Sequence, residues 1–314
     1  MTIAQLFADS PGFFIGCVFV LSLLIGSFLN VVIHRLPIML DREWRQQSAE
    51  LLASPSMETA ISATPAPAAV LDTRGVKQPK YNLVVPRSAC PHCNAPITAA
   101  QNIPVVSWLV LGGKCAQCKA PISIRYPVIE LSTALFSALV AWKFGFVWYT
   151  AAALLLTWTL IALSAIDVDH QILPDNMTLP LVWLGLLLSL AADFSSPLPV
   201  DSRSAIIGGA AGYLSLWLVY HLFKLVTGKE GMGFGDFKLF AVFGAWLGWK
   251  MLPLIILLSA FTGAVVGLTL ILVRGRDRNI PIPFGPYLAA AGWIALMWGP
   301  QIVDGYLRVS GFER

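Results

Sequence analysis

Four of the five cysteines in this sequence form two close pairs. The pairs are Cys90/Cys93 and Cys115/Cys118, each with two residues between its members. A Cys-x2-Cys segment can aim two thiolates at one point, and two such segments supply the four ligands of a closed, tetrahedral zinc site. Gly112 and Gly113 permit the tight turn that the second segment needs. The spacing predicts a structural zinc site, with disulfides or a redox or iron centre as alternatives.

Two aspartates suggest a second kind of chemistry. Asp167 ends a long apolar stretch, and Asp236 follows the glycine-rich segment Gly231–Gly235. Two carboxylates about 3 Å apart share one proton, so one can take a proton from water while the other polarises a carbonyl. This is acid–base hydrolysis without a nucleophilic side chain. Gly233 and Gly235 allow the backbone to approach a substrate closely.

Simpler interpretations of these acidic residues stay open at this point. Asp236 and Asp175 each stand where an aspartate caps a helix and complements its dipole. Asp169 could face water or stabilise the turn, because residues two apart do not share a helix face. The remaining histidines are scattered, and no Ser/His/Asp set is visible.

These residues lie in a chain dominated by apolar segments. Of its 314 residues, 57% are hydrophobic and 12% are charged, whereas soluble domains carry about 25% charged residues. The composition predicts an all-α polytopic membrane protein of about eight transmembrane helices. The expected spans are Phe13–Ile33, Pro127–Trp142, Val147–Ile166, Met177–Ala192, Ala205–Val226, Phe237–Trp249, Leu252–Val273 and Phe284–Val303. Cys17 falls in the first span and is predicted to be a small buried apolar residue.

The basic residues predict the orientation of the spans. The loop after the first span holds ten lysines and arginines, and the N-terminal tail before that span holds none. Cytosolic loops carry an excess of Lys and Arg, so we expect the N-terminus outside and this loop in the cytosol. Threading eight spans from there places Asp167 and Asp236 at the cytosolic boundary. The net charge of +4 is too small to suggest nucleic acid.

Three parts are therefore predicted along the chain. Residues 1–33 form the first span, residues 34–126 a cytosolic loop domain with the zinc site, and residues 127–314 a seven-helix membrane domain. Within the loop, Gln46–Pro79 is rich in Ala, Ser, Pro and Thr and has no apolar period. Such a segment cannot bury enough surface to fold alone, so we expect a flexible insertion.

Several motifs together resemble one known family. Gly233-Phe-Gly-Asp236 resembles the GxGD motif of membrane aspartyl proteases. Asp167, separated by five residues from Leu173-Pro174, resembles the first aspartate motif of type IV prepilin peptidases. The segment from Cys90 to Glu130 is similar to the cytosolic N-terminal domain of those enzymes, and Gly26–Pro37 to the exit of their first span. The resemblance covers nearly the whole chain.

The resemblance implies a bifunctional enzyme of the bacterial inner membrane. Such enzymes remove the short basic leader of type IV prepilins or type II secretion pseudopilins, then N-methylate the new N-terminal residue, usually Phe, with S-adenosylmethionine. By motif match, Asp167 and Asp236 are the expected catalytic pair. No S-adenosylmethionine motif of the Rossmann type is visible, so the methyltransferase activity rests on the resemblance alone, and its binding residues and the oligomeric state are left open.

Three further residues are candidates for supporting roles. Glu130 and Asp169 could attract a basic leader, although Glu130 could equally be a helix-start carboxylate favoured by the dipole. Lys238 could tune the aspartate pair or simply mark the cytosolic boundary. Two other classes of protein compete with the enzyme: a transporter or proton-coupled channel, which would use intramembrane aspartates as a relay, and a scaffold with a zinc-stabilised loop. Against the transporter, both aspartates lie at one boundary and no inverted repeat is evident.

Overall fold

The computed structural model describes residues 2–52, 80–192, 200–274 and 282–311, and the regular structure in these ranges is helical. Two single-turn 3₁₀ helices, Ala100–Asn102 and Trp249–Met251, accompany the α-helices. The ten α-helices of the described ranges are α1 (Ile3–Asp9), α2 (Pro11–Leu52), α3 (Val106–Val110), α4 (Arg125–Phe144), α5 (Trp148–His170), α6 (Asp175–Ala192), α7 (Ser202–Thr227), α8 (Phe234–Leu247), α9 (Leu252–Arg274) and α10 (Gly285–Val309).

Five helical segments are long and apolar enough to cross a membrane. They are Pro11–Leu51, Arg125–Phe144, Trp148–His170, Ser202–Thr227 and Trp249–Val273. The prediction of an all-helical membrane protein is confirmed, and helices α2 and α4–α10 lie where the eight spans were expected. The number eight is not confirmed, because α6 is a shorter apolar helix and neither α8 nor α10 is among the five.

Helix α2 is longer than the first predicted span. It continues unbroken from Pro11 to Leu52, through Pro37 and beyond the expected end at Ile33. Side chains four residues apart pair along its polar half, including Asp41 with Arg45 at 2.9 Å, and such pairs stabilise an exposed helix. Residues 46–52 of the expected insertion are helical, and its remainder, residues 53–79, lies outside the described residues.

The short helix α8 occupies the centre of the bundle. Every residue from Leu239 to Trp246 is buried, and Phe237 and Phe243 belong to the same core cluster as Leu156 of α5 and Leu288 of α10. In lipid such helices associate through close van der Waals packing. A helix enclosed by its neighbours needs no lipid-facing surface, so α8 holds Asp236 in a fixed, protein-lined position.

Glycines let α7 and α8 approach to backbone contact. A Cβ atom added to Gly244 would lie 2.0 Å from the carbonyl oxygen of Gly208, and one added to Gly212 would lie 2.8 Å from the carbonyl oxygen of Phe240. No larger side chain fits at such distances, as expected for small residues at helix interfaces in membranes. This close pair fixes the height of α8 within the bundle.

The segment between α2 and α4 is attached to both helices. Arg35 of α2 donates to the carbonyl oxygens of Asn82 and Pro86 at 2.9 and 2.6 Å. The backbone N–H of Val105, within this segment, donates to Oε2 of Glu130 in α4 at 2.7 Å. These bonds anchor the cysteine-containing segment at the end of the bundle where α2 turns polar.

Candidate active site and candidate metal centre

Asp167 lies in the last turn of α5 and is 5% exposed. Its Oδ2 atom accepts a hydrogen bond of 3.0 Å from the backbone N–H of Gly285, the first residue of α10. The N-terminus of a helix carries partial positive charge and unpaired N–H groups, so it is a natural partner for a carboxylate. One oxygen of Asp167 is thus held in place by the start of α10.

Asp236 lies in the first turn of α8 and is 6% exposed. Its Oδ1 atom is buried and has no hydrogen-bond partner among the described residues. A buried polar atom without a partner is unfavourable, and such atoms occur where a site is built to receive a ligand or water. The helix-cap interpretation of Asp236 does not account for this unpaired oxygen.

The structure brings the two aspartates together. Their carboxylates are close enough to interact electrostatically. Leu173 packs against a glycine next to each aspartate. A Cβ atom on Gly235 would lie 2.6 Å from the Cβ of Leu173, and a Cβ atom on Gly285 would lie 3.2 Å from the Cδ1 of Leu173. Both buried carboxylates therefore lie beside Leu173, Asp167 next to Gly285 and Asp236 next to Gly235, an arrangement suited to acid–base chemistry on a water between them.

The glycines leave room for this arrangement. A Cβ on Gly285 would lie only 2.6 Å from Oδ2 of Asp167, so a side chain there would displace the carboxylate. Gly233 precedes α8, and a Cβ on it would lie 3.7 Å from Oδ2 of Asp236, which is an ordinary contact. Gly235 is thus required by its contact with Leu173, whereas Gly233 is not required by space.

Two of the predicted supporting residues are engaged in ion pairs with other side chains. Asp169 accepts from Arg125 at 2.9 and 2.5 Å, and Arg125 also reaches the carbonyl oxygen of Ala165 at 3.4 Å. Lys238 donates to both carboxylate oxygens of Asp175 at 2.6 Å. Asp169 therefore joins α5 to the start of α4, and Lys238 joins α8 to the start of α6.

Glu130 occupies a third location. It lies in the second turn of α4 rather than at the helix start, which does not fit the helix-dipole interpretation. Its Oε2 atom accepts a 2.7 Å hydrogen bond from the backbone N–H of Val105. Val105 has a φ of +59°, a conformation that is a genuine outlier for a β-branched residue. Glu130 thus holds a strained turn of the cysteine-containing segment against α4.

The four paired cysteines converge on one point. The sulfur atoms of Cys90, Cys93, Cys115 and Cys118 all lie within 4.8 Å of one another. Cys90 and Cys118, from different pairs, have their sulfurs 3.8 Å apart, and tetrahedral zinc with bonds of about 2.3 Å separates its sulfur ligands by about 3.8 Å. The cluster is a candidate metal site, and its geometry fits a four-thiolate zinc ion.

Each cysteine pair lies in its own small hairpin, and the two hairpins have the same structure. In the first, the N–H of Cys90 donates to Ala95 at 2.9 Å and Ala89 bridges to Pro96. In the second, the N–H of Cys115 donates to Ala120 at 2.8 Å, and the next bridge pairs Lys114 with Pro121. Both follow the pattern Cys-x2-Cys-x-Ala-Pro-Ile, a repeat that the sequence analysis missed although it is readable in the sequence.

The pKa values of two of the cluster's thiols are shifted in opposite directions. The N–H groups of Cys118 and Gln117 lower the pKa of Cys115 to about 6. Despite the N–H of Ala120, desolvation and the neighbouring sulfurs raise the pKa of Cys118 to about 11. Four thiolates at this spacing repel one another, so the cluster needs a cation to be fully ionised.

Two residues of the carboxylate site and its surroundings escaped the sequence analysis. Gly285 stands before Pro286 at the start of a helix, a common helix-start pattern, but nothing in the sequence tells which carboxylate its N–H meets. Arg125 was counted only as a basic residue of the first loop. Its contact with Asp169 joins residues 44 positions apart, and only the packing of α4 against α5 brings them together.

The fold and site define a helical membrane protein with paired buried carboxylates and an attached four-thiol module. Residues 20–144 match a family model described as the bacterial peptidase A24 N-terminal domain, and residues 154–268 match the type IV leader peptidase family. No solved structure matches the chain. The chain belongs to the type IV leader peptidase family.

Curated relatives support this membership over the full length of the chain. Three are named prepilin leader peptidase/N-methyltransferase. The protein of Stutzerimonas stutzeri is 53% identical, covering 99% of both chains, and that of Pseudomonas aeruginosa is 52% identical, covering 100% of both. The protein of Aeromonas hydrophila is 55% identical, covering 95% of both.

Proposed function

We propose that this protein is a bifunctional prepilin-processing enzyme of the bacterial inner membrane. It removes the basic leader of type IV prepilins or type II secretion pseudopilins by aspartyl proteolysis, then N-methylates the new N-terminal residue with S-adenosylmethionine. The observation that carries the peptidase assignment is that Asp167 and Asp236 are both buried beside Leu173, and that Oδ1 of Asp236 has no hydrogen-bond partner among the described residues. The names of the full-length relatives support both activities.

In the proposed mechanism, the two carboxylates share one proton and bind a water between them. One carboxylate removes a proton from this water, whose oxygen attacks the scissile carbonyl carbon, while the other donates a proton to the carbonyl oxygen. The tetrahedral intermediate collapses with proton transfer to the leaving nitrogen, which becomes the new N-terminus. Gly285 fixes Oδ2 of Asp167, so its Oδ1 is the atom oriented toward the water.

The proposed orientation follows the distribution of basic residues. The N-terminus lies in the periplasm, and the segment between α2 and α4 lies in the cytosol with the aspartate pair at the membrane boundary. A prepilin joins a basic leader to an apolar helix, so its scissile bond also lies at this boundary. In this arrangement Cys90, Cys93, Cys115 and Cys118 hold one structural zinc ion, which stabilises the cytosolic module and leaves no open coordination position.

The test uses the purified full-length protein, a prepilin and S-adenosylmethionine in detergent. Mass spectrometry follows leader loss and the gain of one methyl group on the product. We expect Asp167→Asn and Asp236→Asn each to lower leader removal by about 10²–10⁴-fold, the range of general acid–base catalysis. Asp201→Asn, at the N-cap of α7, is the matched control and should retain activity.

The zinc content of the same samples reports whether the cysteine-containing segment is folded, independently of activity. Both aspartate variants should keep the metal content of the wild type, because the cysteine cluster lies in a separate segment. Efficient cleavage by either variant would refute the catalytic pair. Absence of cleavage by the wild type on all prepilin and pseudopilin substrates would refute the peptidase assignment.

A further inference from the structure

An open apolar groove runs between α5 and α6. Its volume is about 530 Å³. Although α5 and α6 follow each other in the chain, they diverge, and the groove is the space between them. It is lined by Leu155 and Thr159 of α5 and by residues of α6 between Asn176 and Leu187. Trp183 and Leu187 are 65% and 60% exposed, so this face of α6 has no partner in the described part of the chain.

The mouth of the groove adjoins the aspartate pair. Asn176 and Met177 immediately follow Asp175, which is bound by Lys238, and Lys238 lies two residues after Asp236. On the other side, Leu173 lies within three residues of the mouth and contacts the glycines that surround both aspartates. The mouth of the groove and the two carboxylates therefore lie at the same end of the bundle.

Within the described residues, the helix that carries Asp236 offers no such approach from the membrane. Helix α8 is buried from Leu239 to Trp246, so a substrate helix cannot lie along the helix that carries Asp236. Trp246 donates to the carbonyl oxygen of Leu181 at 2.8 Å and closes the contact between α8 and the inner face of α6. The outer face of α6 is the surface that stays open next to the mouth.

The groove has the length and polarity to hold part of an apolar helix. From Met177 to Leu187 it extends over ten residues, or about 15 Å at 1.5 Å per residue, roughly half of a hydrocarbon core of about 30 Å. Of its polar groups, Asn176 lies at the mouth, whereas Thr159, eleven residues before the end of α5 at His170, lies deeper in the groove. Pro180 has no N–H to donate to the carbonyl of Asn176, whereas the hydroxyl of Thr159 already donates to Leu155 at 2.8 Å.

We infer that this groove receives the apolar helix of the protein substrate, with the basic leader extending past the mouth into the cytosol. The inference rests on the proposed function, because a scissile bond at the junction of leader and apolar helix requires that helix to lie beside the aspartates. In this position Asn176, at the mouth, lies beside the first residues after the cleavage site. The groove then sets which apolar segments are presented for cleavage.

Filling the groove should weaken binding of the apolar helix without altering the chemistry. In Leu155→Trp and Leu187→Trp, we expect KM for a full-length prepilin to rise roughly tenfold, because a bulky side chain occupies the substrate's place, while kcat is unchanged. For a short peptide with the leader and only a few residues beyond the cleavage site, KM should not change. The matched control is Leu257→Trp on α9, where Leu257 is 70% exposed.

A photo-crosslinking residue provides a second readout. Benzoylphenylalanine at Leu184 should crosslink to the prepilin in an Asp167→Asn background that retains bound substrate, and the same residue at Leu257 should not. Crosslinking to lipid alone at Leu184, or to prepilin equally at both positions, would overturn the inference. If the wild type cleaves prepilin and the tryptophan variants keep its KM, the groove assignment fails while the proposed function stands; if the wild type cleaves no prepilin, both fail.

Discussion

The cysteine module and the carboxylate site are built in opposite ways. Each pair of thiols comes from one short hairpin, and the two hairpins are separated by 21 residues of the same segment. The carboxylates come from two helices, with Asp167 in α5 and Asp236 in α8, 69 positions later in the chain. A third helix, α10, contributes the N–H of Gly285. The module depends on local turns, whereas the site depends on the packing of α5, α8 and α10.

This difference predicts that the two centres respond separately to substitution. A change at the helix contacts should disturb catalysis and spare the metal, and a change at the thiols should remove the metal first and affect catalysis only through the contacts between module and bundle. Arg125, at the start of α4, provides one such contact through Asp169. The experiments below are ordered by their expected effect on leader removal.

Gly285→Val should have the largest effect. A Cβ at this position would lie 2.6 Å from Oδ2 of Asp167 and 3.2 Å from Leu173, so the carboxylate must move, and misplacing a catalytic group by about 1 Å can lower the rate roughly 100-fold. Leader removal should fall by that factor while zinc content stays constant. Gly305→Val, on the same helix in open space, is the control. Normal cleavage by Gly285→Val would contradict the assigned role of this contact.

Removing the metal should have a smaller effect on cleavage. The Cys90→Ser/Cys118→Ser variant is expected to lose about one zinc ion per chain, because a closed site needs all four thiolates. The module should then become sensitive to protease, and cleavage should fall about tenfold as its contacts with α4 and α5 loosen. Cys17→Ser should retain the metal. Metal analysis that finds no zinc in carefully purified wild-type protein would reject the zinc assignment.

Breaking the ion pair between module and bundle should have the smallest effect. Arg125 and Asp169 are partly exposed, at 44% and 27% of their side chains, and pairs of this kind contribute about 0.2–1 kcal/mol. We expect Arg125→Ala to lower kcat by about 1.5–5-fold, and the exchanged pair Arg125→Asp/Asp169→Arg to restore part of it. If Asp169→Asn impairs cleavage while Arg125→Ala does not, Asp169 instead contacts the basic leader directly.

The same contrast explains what the sequence could predict. The thiol cluster is encoded by local spacing, so its four ligands were found without any knowledge of the fold. The helices were located by their apolar runs, but α2 continues to Leu52 because its polar residues pair along the helix, which hydrophobicity does not report. The shortness of the apolar run Phe237–Trp249 is compatible with a helix partly inside the bundle, but the contact of Gly208 with Gly244 that encloses α8 has no local signal in the sequence.

The carboxylate site was predicted only in part. Asp167 and Asp236 were selected by their place at one membrane boundary and by a family resemblance, not by any local pattern that brings them together. Their partners depend on long-range packing: Gly285 is 118 residues from Asp167, and Lys238 is 63 residues from Asp175. A single sequence carries no signal for such pairs, so the ion-pair partners of Lys238 and Asp169 were not predicted.

The most direct test of the central claim measures whether positions 167 and 236 meet. All five native cysteines precede residue 167, so in Asp167→Cys/Asp236→Cys, with a protease site inserted within residues 193–199, the C-terminal fragment carries one thiol. A bifunctional thiol reagent spanning about 5 Å, the range of direct charge interaction, should join the two fragments, whereas Asp236→Cys alone should not be joined. Fragments that separate although both new thiols react with a monofunctional reagent would contradict the paired-carboxylate site.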